Sequence, residues 1–352
     1  MAAQQKVPSP LPGSCGNTRW YKIKNCIASG AGTGHDPIAV FHIFIQTATL
    51  GIMTSRHSQR RTTAMKIALV PINIGMQSLE QMVGLAQLAE GLGFESVWTF
   101  EHVMVPVEYE SKYPYSSDGK MGGGSDAPFL DPLIALTAVA AQTSTLRLGT
   151  GVNILSQANP LLLAKQAATL DLLSNGRFML GAGIGWLKEE FVAMGVPFER
   201  RGARFDDYIV AMRKVWSGEV VEHQSDFLNW SNFQSYPLPV QKGGVPVVVG
   251  GSKGKAFERI ARYGDGWFAP TNDAASLAPM LEELKVACAR HERDYNSVEI
   301  TSMWDNKGGL DAIKAFEDIG VSRVIVPLFV LGRDPVAGLN SLAENIIAKL
   351  AT

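Results

Sequence analysis

The chain has 352 residues, 46% of them hydrophobic, and a formal net charge of −1. That composition is globular, long enough for one large domain or two modest ones, and gives no electrostatic case for a nucleic-acid partner. No apolar run is long and clean enough to span a bilayer, so no membrane partner is expected. Cys15, Cys26 and Cys288 show neither CxxC nor zinc-ligand spacing, which argues against a disulfide framework or a structural metal and for a reducing, cytoplasmic setting.

The first 64 residues differ from the rest. They carry one acidic residue, Asp36, against seven Lys and Arg, with clusters of Pro, Ser and Gly, while the remaining 288 carry 25 basic and 32 acidic groups. Their basic cluster, RHSQRR, follows the apolar stretch Ile38 to Met53 instead of preceding it, the reverse of a secretory signal. Residues 1–64 are therefore read as an unstructured or extraneous leader, and 65–352 as the folded domain.

At Met65 the pattern becomes orderly. MKIALVPI is a buried-strand run, with the first strand at Ile67 to Pro71. Ser78 caps a helix with Gln81 as capping-box partner, and Leu79, Met82, Val83, Ala86, Leu88 and Ala89 form its apolar stripe. Ser96 to Phe100 is the second strand, followed by a long insert to Phe129. Asp131-Pro132 and Asn159-Pro160 each pair an N-cap with proline at the first helical position, on either side of a third strand at Leu146 to Thr150. The fourth strand is Arg177 to Gly181, with helical stretches near Lys188 to Met194 and Ala203 to Ser217. An irregular segment, Gly218 to Gly244, precedes the fifth strand at Pro246 to Val249. Strands at Gly266 to Ala269, Val298 to Met303 and Arg323 to Pro327 alternate with helices Lys255 to Tyr263, Leu277 to Arg293, Leu310 to Ile319 and Val336 to Leu350. Eight strands, each followed by helix, over this length predict an α/β fold of the (β/α)8 TIM-barrel type. No GxGxxG opens the first helix, which counts against a dinucleotide-binding sheet.

In such a barrel the site lies at the C-terminal strand ends. Glu101 and His102 follow the second strand; an imidazole there serves either as a proton carrier near neutral pH or as a hydrogen-bonded structural group. The connection after the third strand, LGTGVNILSQANP, is longer than a strand-to-helix turn requires. GAGIGW, Gly181 to Trp186, lets backbone approach a ligand or simply makes a tight turn packed by Trp186. Gly250-Gly251-Ser252-Lys253-Gly254 before a helix is a phosphate-binding pattern without Walker A spacing, with Lys253 and Lys255 adding charge. Tyr109, Tyr113 and Tyr115 in the insert wall a pocket or pack a lid. Without a nucleophile elbow, paired carboxylates or a metal cluster, the combination points to a phosphorylated organic cofactor.

The segments SVWTFEHV, DPLIALTAVAAQTSTLRLGTGV, NPLLLAKQAATLDLLSNGRFMLGAGIGWLKEEF, GVPFERRGARFDDY and VPVVVGGSKGKAFERIARYGDGWF, from Met65 to about Pro270, resemble the bacterial luciferase-like flavin and deazaflavin oxidoreductases. The insert HVMVPVEYESKYPYSSDGKM is similar to the probable coenzyme F420-dependent subgroup. The resemblance implies a non-proline cis peptide at Gly151–Val152 backing the cofactor ring, with Val152 as a stiff cushion and Asn153 and Ile154 continuing along ring and tail. It places His102 and Glu101 near the reactive face, Gly185 and Glu189 near ring and ribityl chain, and Gly250, Gly251 and Ser252 at the phosphate, where the charge of Lys253 is also expected. It implies hydride transfer between coenzyme F420 and a small-molecule substrate, in a homodimer. The alternatives are a monooxygenase taking reduced FMN from a separate reductase and using O2, and a flavin-binding protein without turnover.

Overall fold

The computed structural model describes residues 65–252 and 254–350; the leader and Lys253 lie outside the described residues. Short buried runs form the strands: β1 (Lys66–Val70), β2 (Ser96–Thr99), β3 (Arg147–Thr150), β4 (Asn153–Ile154) and β5 (Phe178–Gly183). After a separate antiparallel pair, β6 (Val221–Gln224) and β7 (Asn229–Phe233), come β8 (Val247–Gly250), β9 (Gly266–Ala269), β10 (Glu299–Met303) and β11 (Arg323–Pro327). All pairings in the main sheet are parallel, and β3 pairs with both β2 and β5, so the sheet closes. With β4 continuing the line of β3, the closed sheet is a (β/α)8 barrel.

The helix starts follow their sequence signals. In α1 (Leu79–Gly91) the Ser78 hydroxyl accepts from Gln81 N. Gln81 Oε1 in turn accepts from Gln77 N at 2.8 Å, one residue before the usual capping-box partner. Asp131 caps α2 (Pro132–Gln142) through Leu133 N and Ile134 N, and Asn159 caps α3 (Pro160–Leu173) through Leu161 N and Leu162 N. The later helices are α4 (Lys188–Ala193), α5 (Arg201–Val215), α6 (Lys255–Tyr263), α7 (Ala274–Arg290), α8 (Gly309–Asp318) and α9 (Pro335–Leu342).

Three expectations need correction. The segment Gly218 to Gly244 is not wholly irregular, since it holds the β6–β7 hairpin; its strands, VEHQ and NWSNF, lie largely in solvent and lack the apolar alternation that marks a strand. In α1 the buried stripe runs through Leu85, and Leu79, in the first helical position, is 57% exposed. The final helix does not run unbroken from Val336 to Leu350, because a π-helical turn, Ala343–Ile347, follows α9.

Two clusters fill the molecule. The larger lies between sheet and helices; the smaller fills the barrel with Ala68, Val70, Trp98, Met179, Val248, Phe268 and Ile325. At the N-terminal ends of the strands the barrel is plugged by charge. Arg323, fully buried, donates from Nε and Nη2 to Glu95, both at 2.7 Å, and from Nη1 to Glu299 Oε2 at 2.9 Å and Thr301 Oγ1 at 3.0 Å. Lys66 also pairs with Glu299. Burial works to raise the Glu299 pKa, but the Arg323 and Lys66 charges outweigh it and hold the carboxyl at about 2.

Removing Arg323 leaves two carboxylates without their buried counter-charge. We expect Arg323→Ala to lower stability by about 3–5 kcal/mol in urea unfolding. In the parent protein the Glu299 contribution is present above its ordinary value near 4.5 and is lost as pH falls toward about 2. The variant loses much of that acid sensitivity. A variant as stable as the parent rules out this role for Arg323.

Candidate active site

Glu101 and His102 leave β2 in opposite directions. The Glu101 carboxylate turns to the end of β3, where Oε1 accepts from Asn153 Nδ2 at 2.8 Å and Oε2 from Ile154 N. Burial pushes its pKa up to about 8, and the negative charges of Glu190 and Asp131 push the same way against the Ile154 bond. A neutral carboxyl therefore stands beside the strand break. His102 turns the other way, to α4: its Nδ1 lies 2.9 Å from Glu190 Oε2. Its ring meets Phe129 at 5.6 Å and Trp186 at 6.0 Å, edge-on in both cases.

Between β3 and β4 the Gly151–Val152 peptide is cis. Gly151 N donates to Thr99 O at 2.7 Å, so the break sits beside the end of β2. Val152 rests on the inner barrel cluster, and its methyl groups occupy the space a side chain would need at Gly183 and crowd the Gly250 position. At Gly181 an added Cβ would lie 1.6 Å from Thr150 O. The glycines of GAG thus admit the protein's own bulge, a use distinct from both the ligand approach and the tight turn offered for them. Gly185 has φ +74°, and an added Cβ there would strike Phe191 and Ile154.

Gly250, Gly251 and Ser252 reach α6 through Gly254, and no side chain caps that helix. Lys255 opens α6, and Phe257 N in its first turn bonds Gly254 O at 3.1 Å; a helix start without a side-chain cap is the kind of place where an anion binds. Gly251, at φ +121°, accepts from Trp267 Nε1 through its carbonyl at 2.7 Å, which holds the turn onto β9.

Glu189 does not aim freely at the cleft. Its Oε1 accepts from Glu110 N at 2.7 Å and Ser111 N at 3.1 Å, tying the insert to α4. Burial works to raise its pKa, yet these bonds and the Ser111 hydroxyl hold it at about 2. Within the insert, Tyr109 and Tyr113 pack on Trp186 at 5.6 and 5.2 Å, and Tyr115 packs on Tyr113. Trp186 is therefore the hub between insert and His102.

Several buried polar atoms around this mouth have no protein partner: Asn153 Oδ1, Glu189 Oε2 and both amide atoms of Gln157. Asn153 and Gln157 line a 230 Å³ cavity with Glu101 and Asp131. Such atoms need partners, so the residues present fit a polar cofactor or ordered water along Asn153 to Gln157. Among the described residues no group of three His, Cys, Asp or Glu is placed to hold a metal ion, and no helix is long and apolar enough to cross a membrane.

Sequence reasoning missed Glu190, Phe129, Gln157 and Arg201, whose Nε donates to Gly185 O at 3.1 Å. In KEEF the two acids look alike, and a six-residue helix is too short for periodicity to separate the buried Glu190 from the partly buried Glu189. No local signal marks the others.

The description Luciferase-like monooxygenase belongs to the family model that matches residues 48–304, beyond the span of the motifs at both ends. An uncharacterised protein of Mycobacterium tuberculosis is 33% identical over 269 residues, covering 76% of this chain and 92% of the relative. An F420-dependent glucose-6-phosphate dehydrogenase of Rhodococcus jostii is 29% identical over 236 residues, covering 66% of this chain and 65% of its own. An FMNH(2)-dependent dimethylsulfone monooxygenase of Pseudomonas fluorescens is 28% identical over 220 residues, covering 61% and 54%. With a closed parallel barrel, a break at the end of β3 and a histidine at the end of β2 all in the places the motifs predicted, the chain belongs to the luciferase-like monooxygenase family.

Proposed function

We propose that this protein is an oxidoreductase that moves hydride between coenzyme F420 and a small organic substrate. The observation that carries the reading is the end of β3, where Val152 stands on the filled barrel beside the strand end that bears His102. That shelf suits a planar ring. The deazaflavin, when bound, supplies the hydride acceptor or donor. The chain's own groups do the rest. Gly250, Gly251, Ser252 and the open N-terminus of α6 hold a phosphate, with Lys255 adding charge. Trp186, Phe129 and the insert tyrosines keep water from the cleft. His102 takes the proton that a substrate hydroxyl loses as its carbon gives up hydride, or returns it in the reverse direction. Glu101, kept neutral, braces Asn153 and Ile154 without placing a negative charge under the shelf.

A second reading, a monooxygenase fed with reduced FMN by a partner reductase, is supported by the FMNH(2)-dependent relative, whose identity nearly equals that of the F420-dependent one. Titration of the purified protein with F420 and with FMN, followed by ring absorbance, separates the two. We expect tighter binding of F420; tighter FMN binding together with O2-dependent turnover decides for the second reading.

His102→Ala is expected to lower turnover by about 10²–10⁴-fold, with cofactor affinity retained. Weakened affinity with normal turnover at saturation assigns His102 to binding instead.

Glu101 predicts a pH effect on stability. Its pKa rises from 4.5 to about 8 on folding, so between those values the unfolded chain has ionised while the folded one still holds the proton. Stability from this group therefore falls as pH rises through that window. Glu101→Gln removes the dependence, and urea midpoints near the two ends of the window should then differ less than in the parent protein. An equal difference in both proteins overturns the assignment of a neutral carboxyl.

A further inference from the structure

The His102 ring has one engaged nitrogen and one without a hydrogen-bond partner among the described residues, and what engages it decides its chemistry. Glu190 is wholly buried, and its contacts other than His102 are both with backbone N–H donors. Oε2 faces His102 Nδ1 at 2.9 Å, while Oε1 accepts from Val103 N at 2.6 Å and from Met104 N at 3.3 Å. A carboxylate so placed offers acceptors only. Nδ1 must therefore carry hydrogen, which leaves Nε2 as the nitrogen that exchanges a proton.

We propose that Glu190 is a positioning residue that holds His102 in the Nδ1–H form, with Nε2 as its proton-exchanging atom, and that it does so through the same carboxylate that anchors the first residues of the insert. The proposal rests on the reading of His102 as the proton carrier. Val103 N and Met104 N open the insert, so the seating of the insert and the state of the imidazole depend on one group. Glu189, the next residue back, anchors Glu110 and Ser111 only, so it serves as a control that holds the insert without meeting the imidazole.

Glu190→Gln makes the sharp test. The amide has a single acceptor oxygen. The two backbone N–H groups of Val103 and Met104 claim it, which turns the NH2 group toward Nδ1. A donor facing Nδ1 forces the hydrogen onto Nε2, so the variant should invert the tautomer with almost no change in shape. Nitrogen-15 chemical shifts of histidine-labelled protein report this directly, with the His102 signals assigned by their loss in His102→Gln. We expect Nδ1–H in the parent, Nε2–H in Glu190→Gln, and Nδ1–H retained in Glu189→Gln. The pH profile of kcat should shift in Glu190→Gln while KM for the cofactor holds. Hydrogen on Nε2 in the neutral imidazole of the parent protein overturns the proposal, and that measurement needs no variant to fold. An unchanged tautomer in a folded Glu190→Gln also overturns it. Full turnover in His102→Gln would instead sink the reading of His102 as proton carrier, and would leave the tautomer assignment standing.

Discussion

The structure depends on a filled barrel. Arg323 pairs with both Glu95 and Glu299 at one end, and its guanidinium lies 5.6 Å from the Trp98 ring. Trp98 packs against Phe268 at 5.6 Å. Phe268 in turn lies where a side chain at Gly151 would have to go. Each layer limits the next, so the position of Val152 at the mouth is set by contacts that begin at the opposite end of the barrel. Close-packed interiors transmit position in this way because they have little free volume to absorb a shift.

Small residues are needed wherever two of these layers meet. Gly149 admits the Trp98 indole, whose ring atoms would lie 2.4 Å from an added Cβ. Gly181 and Gly183 admit the bulge. A larger residue at any of these places would have to move the ring or the shelf, and neither has room to move. The site is in this sense built from the inside of the barrel outward, while the helices outside carry the bulk of the hydrophobic burial.

Much of the fold was legible because its signals are local. The caps Ser78, Asp131 and Asn159 act within three residues of themselves, and the strand runs are apolar on both faces. Strand order followed from the alternation of strand and helix. The candidate site was legible only as positions at strand ends. His102 and Gly151–Val152 lie where the motifs placed them, but their partners belong to distant segments: Glu190 is 88 residues from His102, and Glu101 is 53 from Ile154. Such contacts leave no periodic trace. The β6–β7 hairpin escaped for the opposite reason, since its strands are mostly polar and only Val221 and Trp230 reach the core, beside backbone pairing and His223 bonding Asp207 at 2.8 Å.

The two adjacent carboxylates on α4 have a consequence for how such a protein changes. Both grip the insert near its root, at Val103, Met104, Glu110 and Ser111, and neither touches the turns from Ser116 onward. The turns between Ser116 and Ala127 are tied back to the root by other means: Met121 N donates to the Tyr109 hydroxyl at 3.0 Å and Tyr113 N to Gly119 O at 2.8 Å, and both tyrosines pack on Trp186. The insert thus has a root fixed by carboxylates and a tip held through tyrosines. A change at either carboxylate acts on the root directly, whereas a change in the tip reaches it only through two tyrosines and Trp186.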